Sequence, residues 1–115
     1  MKAQDGRDPL DTVYDELVQM TRLVGSAMNR ATQALLDADL TLAESVIDAD
    51  AQIDTLASDI EERCLDIIAM ERPHADDLRV VVGAVRIAAS LERMGDLAEH
   101  VAKQARLRYP RPSVP

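Results

Sequence analysis

The amino-acid sequence predicts an all-α protein, an antiparallel three-helix bundle. Three observations predict it. Apolar residues recur at alternating steps of four and three through three long segments, and no segment alternates with a period of two. The composition is 47 % hydrophobic yet holds two Tyr, no Phe, no Trp and only four Gly, which suits helices and leaves little for the turns of a sheet. The breaks between segments are a few residues long, and short links set neighbouring helices antiparallel. The length of 115 residues allows one domain.

The first helix is predicted over residues 10–37. Its seam reads Leu10, Tyr14, Leu17, Thr21, Val24, Met28, Ala31 and Leu35, a heptad pattern with one polar member. The second is predicted over 41–70. Thr41 and Glu44 have capping-box spacing, with Asp39 as a competing N-cap. Its seam reads Val46, Asp50, Ile53, Ala57, Ile60, Cys64 and Ile67. The third follows Pro73 over 75–108, with a seam of Leu78, Val82, Val85, Ala89, Glu92 and Asp96. Helices of this length run ~45 Å. The bundle therefore occupies 10–108, after a polar N-terminal tail at 1–9 and before a Pro-rich C-terminal tail or linker at 109–115. The core must be built from Leu, Ile, Val, Ala and Met.

The formal net charge of −8 argues against nucleic acid or an anionic membrane surface as partner and favours a basic partner or a cation. One cysteine, Cys64, allows neither an internal disulfide nor a cysteine zinc site, and its seam position reads as core. No apolar run approaches the ~20 residues of a membrane span, and residues 1–9 carry no signal-peptide apolar stretch, so a cytoplasmic location is expected.

Two of the seams are apolar until they meet acids. Asp50 holds a core-facing position in the second helix, with Asp54 one turn on. Glu92 and Asp96 hold consecutive seam positions in the third. A hairpin folded about residue 72 or 73 sets position 50 against about 95 and position 54 against about 91, so the two pairs reach one level. Two like charges ~5 Å apart at an effective dielectric of ~20 repel by roughly 3 kcal/mol. Protonation, arginine partners, a cation, or simple solvation at the wet edge of the seam would each relieve that repulsion. An all-oxygen set suits magnesium, manganese, calcium or iron better than zinc or copper. His100, four residues beyond Asp96, would add a nitrogen donor and turn the choice toward iron or zinc, or else is an ordinary exposed histidine.

Arg79, Arg86 and Arg93 recur every seven residues beside the acids. They read either as a stripe for an anion or acidic partner, or as an interhelical ladder with Arg79 near Asp66 and Arg86 near Asp59. Gly95, between the seam acids, reads as a close approach to the backbone or a packing contact.

The sequence resembles the PhoU family at these residues. Leu91-Glu92-Arg93-Met94-Gly95-Asp96 is similar to that family's (D/E)R-hydrophobic-GD motif. Asp77-Leu78-Arg79 after Pro73 resembles its Pro…DLR element, and Val46-Ile47…Asp50…Ile53-Asp54 resembles its V-I-x-x-D-x-x-I-D segment. The three elements stand in order from the first helix to about Arg106. The resemblance implies three-helix bundles carrying E(D)xxxD metal motifs, here Asp50/Asp54 and Glu92/Asp96, with iron and zinc among the metals. It implies negative regulation of phosphate uptake and phosphate-responsive signalling, through the ATPase subunit of the phosphate ABC transporter and a sensor histidine kinase. The family carries two repeats in tandem and this chain one, so it reads either as a natural half-length member, for which a homodimer would rebuild the two-bundle form, or as a fragment ending in the inter-repeat linker. His100 stands where the family often has Asn.

Two other classes compete with a metal-binding regulator. One is a structural bundle that docks a partner helix without metal. The other is an enzyme, against which the sequence offers no Glu-x-x-His pair inside a helix, no Gly-rich phosphate loop and no nucleophile–base set. The one such spacing, Glu71 to His74, straddles Pro73 in a turn.

Overall fold

The first helix, α1, spans Pro9–Asp37. Asp8 in extended geometry caps it, its carboxylate accepting from the Leu10 amide at 2.9 Å, and Pro9 takes the first helical position where its missing N–H costs nothing. Ala38, in the left-handed region at φ 54°, ends the helix and donates to the Ala34 carbonyl. The second helix, α2, spans Leu40–Glu71. Its cap is Asp39, which accepts from the Leu42 amide at 3.0 Å, so the link is only Ala38 and Asp39 and the Thr41 alternative fails. It ends at Arg72, also left-handed at φ 45°. The third helix, α3, spans Ala75–Arg108. His74 offers it no side-chain cap, but Asp76 and Asp77 in the first turn and Arg106 and Arg108 in the last complement the helix dipole. The structure, a computed structural model, describes residues 8–112. The proposed tail residues 1–7 and 113–115 lie outside the described residues.

Each helix packs on the other two, in an elongated body of 54 × 25 × 15 Å. Among the described residues the core is a continuous line of apolar side chains with no buried polar member, and ten of its 21 buried hydrophobics are alanine. Small side chains bring the helix axes close. The large fully buried members are few: Met20, Ile53 and Ile60 lead them.

The predicted α2 seam is the observed one, with Val46, Ile53, Ala57, Ile60, Cys64 and Ile67 buried. The predicted α1 seam holds at Val24 and Ala31, which are buried, and at Leu10, Leu17 and Leu35, which pack half-buried against the core, but elsewhere it and the predicted α3 seam are off by about one position. In α1 the buried line is Val13, Met20, Val24, Ala27, Ala31 and Ala34, while Tyr14 and Met28 are exposed. In α3 it is Val81, Ala84, Ala88, Leu91, Gly95, Ala98, Ala102 and Ala105, and Leu78, Val82 and Ala89 are exposed. The physical reason is size. Apolar patterning ranks Leu, Val and Tyr as core, yet alanine and glycine occupy the line of closest helix approach and push larger side chains to the flanks.

Gly95 shows that approach most sharply. A Cβ built there would lie 3.1 Å from Ile53 Cγ2 and 3.8 Å from Val24 Cγ2, so α3 meets both other helices at this point.

Candidate functional site

The tight packing at Gly95 and Ile53 places their sequence neighbours, Asp96 and Asp54, on either lip of the α2/α3 groove. Asp50 lies one turn back along α2. One carboxylate oxygen from each of Asp50, Asp54 and Asp96 falls within 4.8 Å of the others. Asp50 is half-buried and Asp96 exposed, with Asp54 at the boundary between them.

Glu92 is half-buried beside Asp54. Its carboxyl is pushed above the ordinary range, first by burial, then by a hydrogen bond to the Asp54 carboxyl and by the charges of Asp54, Asp96 and Glu61. Asp50 is raised from 3.8 to about 6. Burial is the main cause, followed by the charges of Asp54, Glu99 and Asp96 and a hydrogen bond to Glu99. Asp50 Oδ1 is buried with no hydrogen-bond partner. A small cavity of about 70 Å³ beside Glu61 and Glu92 continues the groove.

His100 is exposed and is not one of the three-carboxylate group. Glu99, which the sequence reading passed over, is half-buried and faces Asp50 instead. The helical period explains the exchange. Two successive steps of four, 92 to 96 to 100, carry a residue ~80° around the helix, whereas four then three returns Glu99 to the line. A strict four-three reading of α3 would have found it. Glu99 also meets Lys103 at 3.5 Å, an exposed pair one turn apart.

Arg79, Arg86 and Arg93 are exposed, and none makes an ion pair among the described residues. The ladder to Asp66 and Asp59 is absent. Those two acids lie instead near Arg63 of their own helix, whose guanidinium bridges to Glu16 of α1 at 2.7 Å.

The donor chemistry fits a hard cation. Three carboxylates converge, a fourth hydrogen-bonds to one of them, one oxygen is buried without a partner, and no nitrogen or sulfur donor joins the set. A cation here would take Asp50, Asp54 and Asp96 as ligands, leaving Glu92 and Glu99 to hold them.

Comparison with known proteins gives a consistent answer. Residues 17–105 match the family model of the PhoU domain. The chain is similar to the phosphate-specific transport system accessory protein PhoU homolog 2 of Mycobacterium tuberculosis, at 46 % identity over 108 residues, covering 94 % of this chain and 51 % of that protein. It is similar to the PhoU homolog of Aquifex aeolicus at 44 % identity over 96 residues, covering 84 % of this chain and 43 % of that one. The PhoU homolog of Pseudomonas aeruginosa is 40 % identical over 96 residues, with 84 % and 40 % covered. The chain thus spans about half the length of the relatives it matches. A family model that spans most of the chain, together with identities of 40–46 % to these relatives, places the chain in the PhoU family.

Proposed function

We propose that the chain is a regulatory module of phosphate transport that binds a metal ion and acts by docking to other proteins. On this reading it restrains phosphate uptake and phosphate-responsive signalling in the cytoplasm. It does so through contacts with the ATPase subunit of a phosphate ABC transporter and with a sensor histidine kinase, and it catalyses no reaction of its own. Family membership and the accessory role in the relatives' names support the phosphate reading. No helix among the described residues is long and apolar enough to cross a membrane, which suits a protein that works against a transporter from outside the bilayer.

One observation carries the metal reading. Asp50, Asp54 and Asp96 converge while Asp50 Oδ1 is buried and unpartnered, an arrangement that is costly without a proton or a cation. Oxygen donors favour magnesium, manganese or iron, and zinc is the weaker candidate with His100 outside the group.

Elemental analysis of chelator-free protein beside an Asp50→Asn/Asp96→Asn variant tests this. At least one ion per chain is expected in the parent and none in the variant. The same variant should fail to restore phosphate-dependent repression in cells lacking other PhoU copies. A parent that stays metal-free after loading with iron, manganese and zinc would remove the metal from this reading. It would favour a bundle that docks partners through its surface alone.

A further inference from the structure

The first half of α3 differs in charge from the rest of this acidic chain. Between Asp77 and Glu92 it carries Arg79 and Arg86 and no carboxylate, in a chain with 21 acidic residues. Both arginines are exposed, and neither makes an ion pair among the described residues. They stand seven residues apart, so they share one side of the helix, ~10.5 Å apart along its axis.

Gly83 stands between them, four residues after Arg79 and three before Arg86. A Cβ there would meet nothing within 4 Å, unlike Gly95, whose missing side chain makes room for Ile53. No contact among the described residues asks for glycine at 83, and glycine weakens the helix relative to alanine. A missing Cβ on an outer helix surface is what lets a second chain come close. Leu78 and Val82, 38 % and 40 % exposed, complete a hollow of about 390 Å³ with Arg79, Gly83 and Arg86.

Charge and size together identify the occupant. Two unpaired guanidinium groups in an acid-free stretch match two negative charges. The hollow is far larger than an inorganic oxyanion, and Leu78 and Val82 make part of its lining apolar. A free phosphate would answer the charge and leave the apolar lining in water. A protein segment answers both, with carboxylates on the arginines and an apolar side chain over Gly83.

We propose that the hollow at Gly83 docks a helix of a partner protein, one that carries an apolar residue between two carboxylates about two turns apart. The helix comes closest over the missing Cβ. Its apolar residue packs on Leu78 and Val82, and one carboxylate reaches each arginine. The stems of Arg79 and Arg86 cover the edge of the contact. The net charge of −8 repels an acidic partner at long range, so salt screens that repulsion and the local pair decides the encounter. This contact presupposes that the chain works by docking, as proposed above, and it does not involve the acidic groove.

The purified transporter ATPase subunit and the cytoplasmic part of the sensor kinase, each titrated by calorimetry against the 115-residue chain with manganese present, test it. At least one is expected to bind. Arg79→Glu/Arg86→Glu should weaken that binding by at least ~30-fold, with helicity and metal content unchanged. Gly83→Leu should weaken it by at least ~10-fold with no loss of thermal stability, because it fills open space and favours the helix. Inorganic phosphate should compete no better than chloride at equal ionic strength. Binding that survives both variants would overturn this docking site and leave the docking reading standing. Displacement by phosphate beyond the chloride control would overturn it in favour of a free anion. Variants that weaken binding only by changing the chain's own mass in light scattering would assign the hollow to a second copy and overturn it too. If neither protein binds the parent chain, the docking reading itself falls, and this site with it.

Discussion

Asp50 is the residue at which fold and site pull in opposite directions. It stands on the α2 line of Val46 and Ile53, yet it is a carboxylic acid among other acids. Its folded value of about 6 lies above the unfolded 3.8, so the bundle favours the neutral form. The stability from this group is complete below about pH 4 and is lost as pH rises through about 6. In chelator-treated protein we expect Asp50→Asn to remove that loss. The variant should be about 1–2 kcal/mol more stable than the parent at pH 7, after allowance for solvent screening, and equal to it near pH 4. Urea titrations at the two pH values measure this. A cation reverses the preference, so a divalent metal should raise the parent's melting temperature at pH 7 and leave the variant's unchanged.

Helix ends set the next scale. The link between α1 and α2 is two residues, and each has one job: Ala38 turns the chain in a left-handed conformation and Asp39 caps the next helix. The left-handed region costs a residue with a Cβ roughly 1 kcal/mol, so Ala38→Gly is expected to stabilise the protein by about 0.5–1 kcal/mol. Asp39→Ala removes the acceptor of the Leu42 amide and should destabilise by about 1 kcal/mol. Thermal melts of the two single variants and the double check both signs. Thr41→Ala is the control: Thr41 has the spacing of a cap but lies inside the helix, and its loss should cost little.

At the scale of the whole molecule, the spacing of the bundle and the geometry of the acids are one quantity. Gly95 lies between α1 and α2, in reach of both Val24 and Ile53, and its neighbour Asp96 faces Asp54 across the groove. Gly95→Val would drive branched carbons into Ile53, which is 1 % exposed and has no room to retreat. We expect a loss of about 1–3 kcal/mol from overpacking. We also expect weaker cation binding, since the helices that carry Asp54 and Asp96 move apart. Calorimetric titration with manganese beside chemical denaturation measures the two together, and loss of stability with unchanged affinity would show that the groove tolerates wider spacing. The core has little reserve, because ten of its 21 buried side chains are alanine.

The helices themselves, their antiparallel order and the shared level of the two acidic pairs were legible in the sequence alone. All three follow from local rules: a period near 3.6, short links and the reach of residues four apart. The α2 seam was legible too, since Val, Ile and Cys there are both the most apolar and the most buried. The buried face of α1 was legible only in part, at Val24 and Ala31, and that of α3 was not. Alanines and Gly95 make the closest contacts, and a residue with almost no side chain leaves no strong mark in an apolar pattern. The exchange of His100 for Glu99, and the release of Arg79 and Arg86 from any ladder, were likewise decided only in three dimensions. Those outcomes depend on how far each helix is rotated about its own axis. That rotation is set by the fit of Gly95 against Ile53 and Val24, which no single helix contains.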